Sequence, residues 1–580
     1  MIRRGAPALW LSCPFGVRLR AVRKRESADG VTVNAVAGTH VVTLGLDLDE
    51  ERRGGCLGFA VQREDHTEDE RTWMTGMKTF AETDPHLGGQ VSSREHPFQS
   101  FQWADYSAKP GRRYTYNVIP LHGEPAALEE GPRASVEVTT ETEVGATHSV
   151  FFNRGSVATQ EYARRFQNKA PPELTGDFQL AALNWLQRGL LDALRGFIGR
   201  AKGSDFALHG AIYEFQWKGA LEALRDAAAS GADVNIVYDG IEGDKHPKPA
   251  NEAAIEAAGI GTSCHCRPRT TGTIMHNKFL VLSHKDKPVA VWTGSTNWTL
   301  NGIFGQMNCG HIVEDEATAT SFLEYWKELG TNPKPSKETA WMAEHNPLPP
   351  DPLDADIAAV FSPHAKDQPV LERYRDLASG AADALMMTFA FGMNDLFKEV
   401  YRNDDAVLRF ALMEQAGVGR TAEQIRQEEE AIQEIRARPN VVVAIGNRIV
   451  TNSFDRWLAE MPGMGEHVDW VHTKFMLVDP LSESPTIVTG SANFSGASAN
   501  TNNENMLVIR GDKRAADIYV GEFMRLYSHY AFREAVAIAK ANGETDFQPS
   551  NLAPDESWQT EYFEPGNDRF TRRRYFAQTA

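Results

Sequence analysis

Two stretches of the chain carry the same polar residue types at the same spacing. In the later stretch His472 and Lys474 are two residues apart, Asp479 follows, and a Gly-Ser-x-Asn sequence begins at Gly490. The earlier stretch has His-x-Lys at His276 and a second Gly-Ser-x-Asn at the same distance from its histidine. A single His-x-Lys occurs by chance in many proteins, whereas two copies with matching downstream residues indicate an internal duplication.

These residue types can together bind and attack a phosphate ester. Short apolar runs adjoin both stretches, which predicts the polar residues at the ends of buried strands. Because alternate residues of a strand share a face, His472 and Lys474 would lie side by side. A glycine and a serine at the end of the next strand let a backbone N–H and a hydroxyl approach an anion. Two such sets facing each other would place two histidines across one phosphorus atom.

The duplicated pattern resembles the phospholipase D superfamily, whose mark is a repeated His-x-Lys-x4-Asp with Gly-Ser-x-Asn downstream. The resemblance covers roughly residues 175 to 535. It implies an α/β fold of two similar halves, each a mixed β-sheet flanked by helices, related by a pseudo-two-fold axis. It also implies a phosphodiesterase that hydrolyses or transfers a phosphodiester through a phosphohistidine, with no metal and no cofactor.

The resemblance also assigns the site residues and their roles. His276 is expected to be the nucleophile and His472 the general acid and base. The motif lysines and asparagines would hold the non-bridging oxygens, and the serines would orient the loops. The predicted catalytic set is His276, His472, Lys278, Lys474, Asn297, Asn493, Ser295, Ser491, Asp479 and Glu504.

The two halves depart from each other at two positions. Ser283 stands where the first motif should have its aspartate. A carboxylate after Gly-Ser-x-Asn commonly steadies a motif histidine in this family, and Glu504 holds that position in the second half. Its counterpart in the first half is the neutral Asn308. A weakened first half could reverse the roles of the histidines or lower the activity, so the identity of the nucleophile stays open here.

A two-step route suits this residue set. Water attacks a phosphodiester poorly because it must approach an anion, and the departing alkoxide is poor until it is protonated. One imidazole can attack phosphorus while the other protonates the leaving oxygen and later activates water. Because the ordinary histidine pKa is about 6.5, a neutral and a protonated imidazole can coexist near neutral pH.

Three hypotheses about the substrate follow. A phospholipid is favoured because both motifs lie in one chain, as in phospholipases of the superfamily, and because the formal charge of −18 disfavours general attraction to nucleic acid. The second hypothesis is a nuclease, in which Arg267 and Arg269 track a phosphate backbone and Trp298 stacks a base. The third is a degenerate scaffold whose changes at Ser283 and Asn308 have abolished the chemistry.

Composition bounds the remaining properties. A chain of 580 residues should divide into three or four units, and five cysteines imply no disulfide framework. Cys264-His265-Cys266 lacks a second ligand pair, which favours a surface turn over a metal site. No apolar run approaches the ~20 residues of a membrane-spanning helix. We expect a monomer, since one chain holds both site halves, and a cytoplasmic location, with export by an unconventional route as the alternative.

The organisation along the chain is predicted from pattern shifts. Alternating apolar runs with Gly and Pro turns indicate an N-terminal β-sandwich, and Trp103, Pro110 and Tyr114 resemble the later strands of a fibronectin type III domain. This region carries no catalytic constellation. The predicted boundaries are a basic flexible arm at 1–30, the sandwich at 31–145, a linker at 146–175, the first half at 176–330, a Pro-rich linker at 331–356, the second half at 357–540 and a tail packed on the body at 541–580.

Periodicity predicts three further features. Leu183, Leu186, Leu190, Leu194 and Ile198 recur at intervals of three and four, which predicts one amphipathic helix from about residue 181. The segment 421–436 is predicted as an exposed helix that begins at a capping box. The C-terminal arginines at 572–574 are expected to pack on the body, with contact to a headgroup or phosphate as the alternative.

Overall fold

The computed structural model describes residues 21–83, 90–155, 159–167, 169–244, 246–350, 353, 355–365, 369–446, 470–541 and 551–579. Most of the predicted basic arm therefore lies outside the described residues. Among the described residues, no helix is long and apolar enough to cross a membrane.

The N-terminal region forms two packed antiparallel sheets. Its strands are β1 (Arg23–Ala28), β2 (Val31–Ala37), β3 (Val42–Leu48), β4 (Gly58–Asp65), β5 (Glu70–Trp73), β6 (Thr75–Gly76), β7 (Val91–Ser92), β8 (Gln102–Asp105), β9 (Arg113–Glu124), β10 (Ala127–Glu130) and β11 (Ala134–Thr139). One sheet has the order β1-β2-β3-β8, and the other has β10-β9-β4-β5 with β11 also on β9. Alternate side chains of β11 are buried, as expected for a strand that covers a core on one face. The predicted all-β unit is confirmed.

The first half of the remaining chain is a seven-stranded mixed sheet with helices. Its elements are β12 (His148–Phe152), α1 (Thr159–Phe166), α2 (Gly176–Gln187), α3 (Leu190–Ile198), β13 (Phe206–Ile212), α4 (Lys218–Ala229), β14 (Asp233–Asp239), α5 (Lys248–Ala258), β15 (Arg267–Arg269), β16 (Lys278–His284), β17 (Lys287–Gly294), β18 (Cys309–Val313) and α6 (Glu316–Gly330). The strand order is β12-β18-β17-β16-β13-β14-β15. Strands β13, β14 and β15 run parallel, because helices return the chain between β13 and β15.

The second half repeats this architecture. Its elements are α7 (Pro335–His345), β19 (Ile357–Ser362), α8 (Val370–Ser379), β20 (Ala384–Phe389), α9 (Asp395–Tyr401), β21 (Leu408–Met413), α10 (Ala422–Arg436), β22 (Val441–Ile445), β23 (Phe475–Val478), β24 (Thr486–Gly490), α11 (Gly496–Asn500), β25 (Glu504–Arg510), α12 (Lys513–Ala541), α13 (Thr560–Phe563) and α14 (Asp568–Ala577). The order β19-β25-β24-β23-β20-β21-β22 matches the first sheet strand for strand. The duplication seen in the motifs therefore extends to the whole sheet.

One hydrophobic core joins the two halves. Phe322 of α6 packs edge to face on Phe279 of β16, with ring centroids 5.0 Å apart, and on Phe361 of β19, at 4.9 Å. The same buried cluster includes Phe475 of β23 and Tyr519 of α12. Because the apolar faces of both sheets are covered by this shared core, the two halves hold a fixed mutual position.

Four expectations about boundaries are corrected. Residues 23–28 of the expected arm pair with β2, and residues 148–152 of the expected linker pair with β18. The Pro-rich joint contains α7, where Pro335 stands in the first turn and its missing N–H costs no hydrogen bond. The single helix predicted from residue 181 is two helices, because Arg188 and Gly189 adopt positive φ between α2 and α3.

The C-terminal segment contacts the sandwich. The Asn34 side chain donates to the carbonyl of Phe576 at 2.8 Å, and Arg573 pairs with Asp47. Arg573 is thus buried in an ion pair, which removes it from the suggested contact with a phosphate. The exposed helix predicted near residue 421 is α10, and its capping box of Thr421 and Gln424 is present.

Candidate active site

The two His-x-Lys sequences lie at equivalent edges of the two sheets. Lys278 begins β16 and stands opposite Ile212, the last residue of β13. His472 and Lys474 precede β23 in the same way. Each lysine ammonium donates to the carbonyl of the histidine in its own motif, at 2.6 Å. The strand start therefore brings an imidazole and a cation together in each half, at the carboxyl ends of the neighbouring parallel strands.

Each histidine is supported by the opposite half. The Nδ1 of His276 lies 2.8 Å from Oε2 of Glu504, and the Nδ1 of His472 lies 2.7 Å from Oδ1 of Asn308. The main chain crosses in the same manner, since the His276 N–H donates to the carbonyl of Asn503. The first half was expected to be weakened by its neutral Asn308, and this expectation is corrected. Asn308 contacts His472 of the second half, whereas the carboxylate of Glu504 contacts His276 of the first half.

The hydrogen bonds of Asn308 fix the tautomer of His472. The Asn308 side-chain amide donates to the carbonyl of Gly302 at 2.8 Å, and its Oδ1 accepts from the Ser295 hydroxyl at 2.8 Å. His472 must therefore donate from Nδ1 to the same oxygen. Glu504 accepts from Nδ1 of His276 in the same sense, which leaves Nε2 of each imidazole available for chemistry.

The two motif serines hold the supporting side chains. Ser295 donates to Asn308, and Ser491 donates to Glu504 at 2.7 Å. Ser498 also donates to Glu504, at 3.0 Å. Both serines are buried. Their hydroxyls thus act on the histidines through Asn308 and Glu504.

Burial and positive charge depress the proton affinity of both imidazoles. Burial lowers the pKa of His276 to about 4, with Glu504 opposing the shift and Lys278 adding to it. Burial, Lys474, Lys278 and His276 together hold the pKa of His472 well below its usual range. Burial also lowers the pKa of Lys278 to about 8. Both imidazoles are therefore neutral at pH 7 in the free protein, and they lie close enough to influence each other.

Comparison with known proteins adds a family match. The family model described as the phospholipase D-like domain of cardiolipin synthase matches residues 195–329 and 429–527. Those two segments contain both halves of the cross-supported site described above. Over these two segments the chain is similar to the phospholipase D superfamily.

Solved structures of related fold are distant. Phosphatidylserine synthase of Haemophilus influenzae Rd KW20 is 11% identical, with 62% of this chain and 92% of that chain covered and a TM-score of 0.40. Nuc of Salmonella typhimurium, a phospholipase D family member, is 27% identical over 24% of this chain and 86% of its own, with a TM-score of 0.20. Polyphosphate kinase of Porphyromonas gingivalis is 11% identical with a TM-score of 0.35, and the match spans 62% of this chain and 52% of the kinase. No curated protein matches the chain.

Among the described residues, the motif asparagines leave side-chain oxygens unpaired in this site. Asn297 is buried and Asn493 is half-buried, and in the part of the chain that the structure describes the buried Oδ1 of each has no hydrogen-bond partner. Buried polar atoms are normally paired. These two amides therefore retain hydrogen-bonding capacity for a ligand between the lysines.

The aspartate of the superfamily motif does not reach the site. Asp479 follows the far end of β23, where its carboxylate accepts the backbone N–H groups of Ala382, Asp383 and Ala384 at 2.7 to 3.0 Å. The expectation that Asp479 belongs to the catalytic set is corrected. Its counterpart Ser283 lies beside a register shift at the far end of β16, away from the start of the strand where the motif lysine stands.

Two residues proposed for nucleic-acid contact are also corrected. Arg269 is fully buried, and it donates to Glu338 at 2.8 Å and to Asn503 at 2.7 Å. Trp298 is fully buried as well and cannot stack on a base from outside. Arg267 remains more exposed and lies over the ring of Trp326.

The buried cluster around Arg269 holds Asn503, the residue before Glu504, and it was not predicted from the sequence. Glu338 of α7 also accepts from the Asn503 side chain at 2.6 Å, and Asn503 precedes Glu504. Burial raises the pKa of Glu338 to about 7, against the opposing charge of Arg269. The three side chains come from the first half, the joint and the second half, and only their meeting in space identifies them.

Two further residues line the site beside His276. The ring of Tyr213 meets the His276 ring edge to face at 4.9 Å, and Lys278 lies over the same tyrosine ring. The carboxylate of Glu214 lies near the Asn297 side chain and feels the charge of Lys278. Both residues directly follow β13, so polar residues after the strand that pairs with the motif were the available signal. Among the described residues, no group of His, Cys, Asp and Glu side chains is arranged to hold a metal ion.

Proposed function

We propose that this chain cleaves a phosphodiester in two steps through a phosphohistidine on His276. The cross-supported pair of imidazoles is the observation that carries the proposal. Since Nδ1 of His276 donates to Glu504, its Nε2 lone pair is available to attack phosphorus. The new P–N bond replaces the P–O bond to the leaving alcohol, which takes a proton from Nε2 of His472.

The second step returns the enzyme to its starting state. Neutral His472 accepts a proton from water or from a second alcohol as that oxygen attacks phosphorus. The P–O bond forms, the P–N bond breaks, and His276 leaves. Hydrolysis and transfer therefore differ only in the acceptor, and the match to a family model described for a synthase supports including transfer.

The lysines give the site its anion affinity. Lys278 and Lys474 lie beside the two histidines, and a pKa of about 8 leaves Lys278 mostly cationic at pH 7. With the side-chain N–H groups of Asn297 and Asn493 as donors, they would hold the non-bridging oxygens and stabilise the charge of the transition state. A bound phosphodiester would also place negative charge next to His472, which raises its pKa and prepares it as the acid.

We further propose a phospholipid as the substrate. Phe391 follows β20 and Val418 follows β21, so both lie at the sheet edge that holds His472. Ile425, in α10, packs close to the loop that carries Val418. These side chains are 41%, 39% and 37% exposed, which is unusual for large apolar residues next to a polar site. An acyl chain or glycerol backbone fits such an edge better than a phosphate backbone does.

The observations give less support to a nuclease. Arg269 and Trp298 are buried and unavailable to nucleic acid. The formal charge of −18 also opposes the long-range attraction that nucleases use. DNA and RNA are therefore included as substrates in the experiment below.

The proposal is tested with the variants His276→Asn and His472→Asn, and with His345→Asn, an exposed histidine of α7, as the control. Rates are measured in chelator on mixed phospholipid micelles and on single- and double-stranded DNA and RNA. We expect both site variants to lose about three orders of magnitude or more on phospholipid, with the control unchanged. Near-parental rates in both site variants would refute the assignment.

A covalent adduct distinguishes the two histidines. With a p-nitrophenyl phosphodiester the leaving group needs no proton, so His472→Asn should still form the phosphohistidine but release it slowly. We expect a burst of p-nitrophenolate and an alkali-stable phosphoryl group on the peptide that contains His276. A phosphoryl group on His472 in the parent protein would reverse the assigned roles.

A further inference from the structure

A carboxylate stands in a site that is otherwise built for an anion. Glu214 follows β13 and is fixed on both sides: the preceding Tyr213 N–H donates to the carbonyl of Asn277 at 2.8 Å, and the Glu214 carbonyl accepts from the Trp298 N–H at 3.1 Å. These contacts place Glu214 between the first His-x-Lys segment and the first Gly-Ser-x-Asn loop. Its backbone is therefore part of the site wall.

The Glu214 carboxylate faces the phosphate-binding groups. It lies near the side chain of Asn297, and the charges of Lys278 and Lys474 act on it. Burial raises its pKa, and the lysines oppose that shift. The other carboxylate of the site, Glu504, is fully buried and accepts from His276, Ser491 and Ser498. Glu214 is half-buried, so of these two carboxylate residues it is the more exposed.

Among the described residues of the second half, the position equivalent to Glu214 carries no carboxylate. Ile212 stands opposite Lys278, and Met387 stands opposite Met476. Continuing both registers past the strands places Phe391 at the position equivalent to Glu214. The duplicated catalytic groups thus do not include Glu214, which belongs to one side of the cleft only. A residue present on one side of a two-fold site distinguishes the two ends of a phosphodiester.

We propose that Glu214 is a specificity-determining residue, which binds a hydroxyl or ammonium group on one alcohol of the phosphodiester. A carboxylate repels the non-bridging oxygens, so its favourable contact with a ligand requires a hydrogen-bond donor. Phe391 gives the opposite side of the cleft an apolar surface for the other alcohol. The substrate class is a phosphodiester with a donor-bearing alcohol at one end and an apolar group at the other. This inference rests on the proposed phosphodiester chemistry.

A matched pair of soluble diesters tests it without lipid. The probes are 2-aminoethyl p-nitrophenyl phosphate and ethyl p-nitrophenyl phosphate, which differ by one ammonium group. We expect the full-length protein to have a lower KM for the aminoethyl ester. In Glu214→Leu the KM of the aminoethyl ester should rise about 10- to 100-fold relative to the KM of the ethyl ester. Glu214→Asp should restore part of the preference.

The controls separate specificity from damage and from failed chemistry. Glu344→Gln, an exposed carboxylate of α7, should change neither KM. An equal loss on both esters in Glu214→Leu, or an unchanged KM for the aminoethyl ester, would overturn the role of Glu214. If His276→Asn still turned over the ethyl ester, the phosphohistidine route would be refuted. The KM values of the two esters in the parent and in Glu214→Leu could still be compared.

Discussion

At the scale of single residues, the pairing of each histidine with a support from the other half sets its chemical role. His276 has a carboxylate partner, which stabilises the positive charge that develops as it attacks phosphorus. His472 has the amide of Asn308, which fixes its tautomer but carries no charge. The acid form of His472 must therefore depend on the charge of the substrate.

Asn308→Asp should give His472 a carboxylate partner. Because an opposite charge nearby raises a histidine pKa, His472 should stay protonated to higher pH, and the alkaline limb of the kcat profile should move up by about one to three pH units. The new carboxylate would also face the carbonyl of Gly302, at a stability cost of about 1 to 3 kcal/mol. The pH profile and the free energy of unfolding are the measurements.

Asn308→Ala serves as the control for that pH profile. It removes the acceptor without adding charge, so the alkaline limb should not move upward. A limb that moves equally in both variants would show that loss of the amide, rather than the gained charge, governs the profile.

Among the secondary-structure elements, the two ends of strands β16 and β23 have different roles. The starts of β16 and β23 adjoin the proposed catalytic groups, and the ends carry residues that anchor the turns. Asp479 belongs to the second class, because its carboxylate caps the N–H groups before β20. Its φ of 46° also shows that it forms the left-handed turn after β23.

Asp479→Ala should lower stability and spare catalysis. Loss of a charged acceptor from three backbone donors predicts about 1 to 3 kcal/mol less unfolding free energy, with kcat within about twofold of the parent. Denaturant unfolding and initial rates measure the two effects. Asp286→Ala is the control for backbone strain, because Asp286 also has a positive φ, of 63°, and is exposed. A large fall in kcat would return Asp479 to the catalytic set.

In the molecule as a whole, the C-terminal helix α14 packs against both the sandwich and the second half. Gly45 of β3 lies against the backbone of Phe576, where a Cβ atom would stand 2.0 Å from a carbonyl. Phe576 in turn packs near Phe410 of β21. The sandwich thus contributes stability through this contact, at a distance from the histidines.

Gly45→Ala should loosen α14 from the sandwich. Overpacking against rigid backbone predicts a loss of about 1 to 3 kcal/mol or more, and faster proteolysis near the C-terminus. Gly54→Ala is the matched control, because its Cβ would meet no atom within 4 Å. Equal melting temperatures of the two variants would contradict the close backbone contact.

The duplication, the phospholipase D-like pattern and the α/β class were all predictable from the order of residues alone. The equal spacing of two His-x-Lys and Gly-Ser-x-Asn sets predicted paired sheets, because spacing along a strand converts directly into position on an edge. The same local logic predicted α10 from its capping box. It was wrong for the helix from residue 181, where Arg188 and Gly189 interrupt a continuous apolar period.

The contacts between the side chains of the site are visible only in the folded chain. The supports of His276 and His472 lie more than 150 residues away from them. Glu338 enters its buried cluster from a Pro-rich joint that has no motif. Glu214 becomes distinctive only when the strand register aligns it with Phe391. Such contacts depend on how two sheets pack across a shared core, and no local pattern of residues encodes that packing.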